Sequence, residues 1–101
     1  MIRHVVHLKF KPHTTDEAIA EILASLKTLP PQIPEIHSYT FGQDLSLSPD
    51  TGDFAIVADF NTVEDFEVYA HHTTHLQIIQ DVIKPHVQLR CALQFQLESP
   101  T

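Results

Sequence analysis

Apolar and polar positions alternate along the first eleven residues. Ile2, His4, Val6, Leu8 and Phe10 share one side, and Arg3, Val5, His7 and Lys9 share the other. Period two with β-branched residues predicts a strand, and Pro12 ends it because it has no N–H for the ladder. Thr14-Thr15-Asp16-Glu17 then reads as a helix start, with Thr14 as the cap and Glu17 completing a capping box. Ile19, Ile22, Leu23, Leu26 and Leu29 follow at helical spacing, and Pro30-Pro31 is expected to stop that helix. Glu35 to Gly42 predicts a second strand of weak alternation, because Ser38 and Thr40 share parity with Ile36. Asp44 to Gly52, with its Ser, Pro, Asp and Gly, is a loop. Asp53 to Phe60 is a third strand carrying Phe54, Ile56, Ala58 and Phe60 on one face. Asn61 or Thr62 caps the next helix, whose inner side is Val63, Phe66 and Tyr69 or Ala70. His71-His72-Thr73-Thr74 breaks it, and Leu76, Ile79 and Ile83 stripe a further helical stretch ending at Lys84-Pro85. His86 to Leu97 alternates throughout, with Val87, Leu89, Cys91, Leu93, Phe95 and Leu97 on one side.

The order β-α-β-β-α-α-β predicts an α+β fold of the ferredoxin-like kind, one antiparallel sheet with helices on one face. The helix-facing side is expected to hold Ile2, His4 and Val6, Phe54 and Ile56, and Leu89, Cys91 and Leu93. That leaves Val5, His7, Val57 and Tyr39 on the other side, with Arg3 and Arg90 there to pair with Asp59. Such a mixed face is either solvated or closed against a second copy of the sheet.

Composition narrows the function. The chain has 101 residues, enough for one domain spanning 1–101 and one modest core. Thirteen acidic against six scattered basic residues give a formal charge of −7, which argues against a nucleic-acid partner. Apolar runs are too short to span a membrane, and the N-terminus reads straight into a strand rather than a signal peptide. A single cysteine excludes an internal disulfide and fits a cytoplasmic location, with Cys91 expected to be an inert core residue. Two glycines leave no phosphate-binding loop.

Several segments together resemble the stress-responsive A/B-barrel (Dabb) family of dimeric α+β barrels. Met1 to Lys11 resembles the family's first strand, Phe41-Gly42-Gln43-Asp44 its strand-ending Gly-x-Asp turn, and Ile56 to Phe60 its third strand. Tyr69-Ala70-His71-His72-Thr73-Thr74-His75 is similar to a Tyr-x-x-His-Pro-x-His stretch, with Thr73 in place of the proline. The resemblance spans essentially the whole chain. It implies a homodimer whose sheets pack face to face, and a cavity inside each subunit between sheet and helices. Fold does not fix function. Relatives include plant stress proteins with no assigned reaction and a plant polyketide cyclase, and more distant barrels include monooxygenases and lactone isomerases.

The cyclase uses a Tyr and a His of this motif, which carry over to Tyr69 and His75, and a first-strand histidine that matches His4. The residues themselves are consistent with this. His4 is the polar exception on an apolar face and must find a partner or line a cavity. His75 suits a general base, and Tyr69 suits a proton donor to a carbonyl oxygen gaining charge, as in an aldol closure. These two are the expected catalytic residues, with His4 and His72 expected to bind substrate. The plainer reading stands beside it: Tyr69 as a helix residue with a buried ring, and His72 fixing the helix break. His71 and His75 are four apart, yet no carboxylate or cysteine pair accompanies them, so no metal and no cofactor is expected. The expected partners are a second copy of the chain and a hydrophobic, carbonyl-bearing small molecule. Three functions remain: a cofactor-independent cyclase-like enzyme; a non-catalytic, stress-linked or ligand-binding homodimer; or a structural oligomer built from dimers.

Overall fold

A computed structural model describes residues 1–98, and the last three residues of the expected 1–101 domain lie outside the described residues. The chain runs β1 (Ile2–Phe10), α1 (Asp16–Lys27), α2 (Leu29–Gln32), β2 (Ile36–Gln43), β3 (Phe54–Phe60), α3 (Val63–His71) and α4 (Thr73–Ile78). A π-helical turn (Ile79–Ile83) and a 3₁₀ turn (Lys84–His86) then lead into β4 (Val87–Gln96). The four strands form one antiparallel sheet in the order β2-β3-β1-β4, the ferredoxin-like α+β arrangement.

Local chemistry sets the helix ends. Thr15, not Thr14, caps α1 by accepting from the Ala18 amide at 3.1 Å, while the Thr14 hydroxyl donates back to the Lys11 carbonyl at 2.7 Å. Pro30 and Pro31 do not end α1. They sit in the first turn of α2, where a missing N–H costs nothing, and α1 has already stopped at Thr28. Thr62 caps α3 by accepting from the Asp65 amide.

The core lies between the helices and one face of the sheet. Leu8, Phe54 and Phe60 from the strands meet Ile22, Leu26, Leu29 and Ile33, all essentially inaccessible to solvent. Each such side chain contributes about 1.5–3 kcal/mol by leaving water. Two expectations for the helical layer are corrected. Val63 is exposed, and in the last helical stretch Leu76 is exposed while Ile78 and Ile83 are buried. The π turn, with hydrogen bonds spanning five residues, follows α4 and brings Ile78 and Ile83 to the core together, a pair that a 3.6-residue stripe through Leu76 does not select.

The larger corrections concern the edge strands. In β2, Ile36 pairs with Phe60 and Ser38 with Asp59, so His37 is an extra residue in a β-bulge. The bulge puts Ile36 and Tyr39, three apart, on the same helix-facing side, where Tyr39 lies opposite Ala58. In β4, Phe10 pairs with Val87 and Lys9 with Leu89, so Gln88 is bulged in the same way. Val87 therefore faces the helices, and the rest of the strand turns over. Leu89, Cys91, Leu93 and Phe95 align with Lys9, His7, Val5 and Arg3 on the outer face, and Cys91 is exposed rather than a core residue. Arg90, Ala92 and Gln94 align with Leu8, Val6 and His4 on the helix side.

On the outer face Arg3 grips Asp59 with two hydrogen bonds, 2.8 and 2.9 Å long, and Ser38 adds a third at 2.8 Å. The hydrogen bonds from Arg3 hold the Asp59 carboxyl below the usual carboxylate range. Arg90, on the opposite side of the sheet, takes no part in that pair.

Candidate functional site

Between β1, β4 and the α4–π segment lies a cavity of about 520 Å³. Its walls are Val6, Leu8, Leu26, Ile56, Ile79, Ile83 and Val87, and His4, Tyr69 and His75 reach into it. Lys84, Gln88 and Arg90 complete the lining. A second depression, about 460 Å³, lies at the other end of β1 around Lys9, Lys11, His13, Asp44 and Asp53. It is more open and polar, and the Asp53 carboxylate there already accepts from the Phe10 amide at 2.8 Å. The inner cavity is the candidate site, because an apolar hollow with a few convergent polar groups is what a small organic ligand requires.

Alternation along β1 turns His4 inward, where it is 5% exposed. Its Nδ1 accepts from the Gln94 side-chain amide at 2.8 Å, which leaves the proton on Nε2. Phe66 packs on its ring at a centroid distance of 5.1 Å. Burial, aided by the charge of Arg90, pushes the His4 pKa down to about 4, so the ring is neutral at pH 7.

Tyr69 sits on the inner side of α3, 2% exposed, between Phe60 and the imidazole of His75. Its hydroxyl meets that of Tyr39 at 2.9 Å. Burial raises the pKa of both phenols, and the hydrogen bond offsets part of the rise for Tyr69 while adding to it for Tyr39. Either hydroxyl can donate in this pair, and burial keeps both phenols protonated.

His75 follows the helix break. Its ring lies 4.1 Å from that of Tyr69, centroid to centroid. Nδ1 stands 3.3 Å from the Ala70 carbonyl, which only accepts, so Nδ1 carries the proton and Nε2 keeps its lone pair. Burial lowers the His75 pKa, which keeps that lone pair free at neutral pH. The cavity therefore holds two neutral histidines of opposite tautomer and a protonated phenol.

The break itself is made by His72, whose Nδ1 accepts from the Thr74 amide at 3.2 Å and caps α4. The structure brings His4, Tyr69 and His75 together around the cavity and leaves His72 beside it, outside the lining residues. Among the described residues no three His, Cys, Asp or Glu side chains cluster to hold a metal ion. Tyr39, Gln94 and Arg90 were missed by simple alternation, because each lies beyond a bulge. The signal for Tyr39 was the conflict between Ile36 and Tyr39, apolar positions three apart in one strand.

Comparison with known proteins agrees with this architecture. The family model of the stress responsive A/B barrel domain matches residues 2–97. A dimeric ferredoxin-like protein of unknown function from Thermobifida fusca is 34% identical, with a TM-score of 0.89 over 95% of this chain and 90% of that one. A dimeric protein of unknown function from Bacteroides fragilis is 19% identical, with a TM-score of 0.79 over 95% of each chain. Hydroxynitrile lyase from Passiflora edulis is 21% identical, with a TM-score of 0.83 over 99% of this chain and 95% of that one. No protein of curated function matches the sequence. The family match, over nearly the whole chain, shows that the chain belongs to the stress responsive A/B barrel (Dabb) family.

Proposed function

We propose that this protein is a homodimeric, cofactor-independent enzyme that moves a proton on a carbonyl-bearing small molecule held in the inner cavity. One observation carries the reading: a neutral His75 with its Nε2 lone pair free is stacked on the protonated phenol of Tyr69 in an apolar hollow. His75 Nε2 takes a proton from the carbon next to a carbonyl. Tyr69 donates a hydrogen bond to the enolate oxygen as charge develops there. If a second carbonyl of the same molecule lies within reach, the enolate carbon attacks it, and the resulting alkoxide takes the proton back from His75. That sequence is an aldol-type ring closure, the cyclase-like version of the function. His4, through its Nε2–H, orients the substrate; Tyr39 is a positioning residue that holds the Tyr69 hydroxyl by a hydrogen bond. His72 acts by capping α4.

The hydroxynitrile lyase from Passiflora edulis supports an enzymatic role for a barrel of this shape, since that protein shares the fold. The dimer is supported by the outer sheet face, where Leu89, Leu93 and Phe95 are about half exposed, and by the Thermobifida relative described as dimeric.

Deuterium exchange at the carbon between the carbonyls of an alkyl β-diketone, followed by proton NMR in heavy water, tests the chemistry without knowledge of the natural substrate. The expected result is saturable exchange that falls about 10²–10⁴-fold in His75→Gln, the usual loss on removing a general base. Exchange no faster than with the His75→Gln protein would leave a ligand-binding homodimer without catalysis.

A further inference from the structure

Charge is distributed unevenly between the molecule and its cavity. The chain carries a formal −7, yet the side chains lining the cavity include no carboxylate and two cations, Lys84 and Arg90. Arg90 faces this space only because the bulge at Gln88 turns it to the helix side of β4, opposite Leu8. Among the described residues the single ion pair is Arg3–Asp59, so neither Arg90 nor Lys84 is neutralised by a neighbouring acid. An arginine without a partner beside an apolar hollow is a ready fork for a planar anion.

We infer that the cavity selects carboxylic acids: the hydrocarbon body fills the apolar interior, and the carboxylate binds at Arg90 with Lys84 beside it. The inference rests on the reading of the cavity as a small-molecule site and adds the substrate class, a carbonyl compound that is also an acid. The carboxylate would anchor at the Arg90 side of the cavity while the reacting carbonyl reaches Tyr69 and His75. Arg90 is then a specificity residue rather than a catalytic one. Its charge also acts on His4, Tyr69 and His75, and lowers the pKa of each. A bound carboxylate would cancel part of that effect and raise the basicity of His75 when substrate is present.

The test is calorimetric titration of the whole chain with decanoate, decanamide and decyltrimethylammonium, three probes with the same tail. The overall charge of the protein favours the cation, so a preference for the anion has to come from the cavity. Decanoate is expected to bind at least about tenfold more tightly than decanamide, with the cation weakest. In the Arg90→Gln/Lys84→Gln variant decanoate should fall to the level of decanamide, and decanamide should be unaffected. Equal binding of acid and amide, or an acid preference that survives in the double variant, overturns the inference and leaves the cavity as a neutral-ligand site. Binding of none of the three overturns the small-molecule reading and this inference with it.

Discussion

The two faces of the sheet are built from the same residue types and end in opposite conditions. The helix-facing side is covered over β1 and β3, where it buries His4 and Tyr69 among Leu8, Phe54 and Phe60, and opens only along β4 at Arg90 and Gln94. The outer side is open, and it leaves Leu89, Leu93 and Phe95 about half exposed beside the Arg3–Asp59 pair. Inside, burial suppresses charge: both histidines are held neutral and the phenols protonated. Outside, a charge is kept, because Arg3 and Ser38 supply the hydrogen bonds the Asp59 carboxylate needs. Desolvation thus makes the inner face suited to proton transfer, and the apolar stripe makes the outer face suited to covering by a second sheet.

Substitutions can break this contrast. Phe60→Ala empties the inner face and should cost about 3–5 kcal/mol in urea unfolding. Leu93→Ala, half exposed on the outer face, should cost well under half as much when the isolated subunit is followed.

Acid separates the faces by pH. His4 titrates near 6.5 in the unfolded chain and about 4 in the folded one, so between those values only the unfolded chain takes up the proton. Stability is therefore expected to fall as pH drops through 6.5, by up to about 3 kcal/mol by pH 4, and His75 adds to it in the same direction. Asp59, with its lowered pKa, gives stability that is complete above the ordinary carboxylate value of 3.8 and is lost only below it. Unfolding curves at stepped pH should show the histidine loss first, with His4→Gln flattening that part alone.

A change on the outer face should act on assembly instead. Leu93→Asp is expected to shift sedimentation from dimer to monomer while far-ultraviolet circular dichroism stays native. The smallest effect separates the two glycines. A Cβ at Gly52 would strike the His7 imidazole, whereas one at Gly42 meets open space. Gly42→Ala should stabilise by about 0.4–1 kcal/mol, and Gly52→Ala should destabilise.

Much of the fold was legible because β1 and β3 alternate without interruption. The 3.6-residue stripe of α1 was equally plain, since Ile19, Ile22 and Leu26 are all buried. Of the site, His4 was legible as a polar residue in an apolar row, and Tyr69 and His75 through a family motif. What alternation could not show was which side of β4 faces the helices. A single extra residue at Gln88 reverses every later side chain, and the one at His37 does the same for Tyr39. The bulge at His37 leaves a trace in the three-residue spacing of Ile36 and Tyr39, whereas the one at Gln88 leaves none, and its consequence, Arg90 inside and Leu93 outside, depends on pairing with β1.

The most direct test of the account is the state of the histidine rings, read by long-range nitrogen–proton correlation NMR across a pH titration. His4 is predicted to stay neutral with its proton on Nε2 and to titrate at about 4. His75 is predicted to be neutral at pH 7 with its proton on Nδ1. Both rings titrating near 6.5 with no fixed tautomer would contradict the desolvated inner face on which the proposed proton transfer rests.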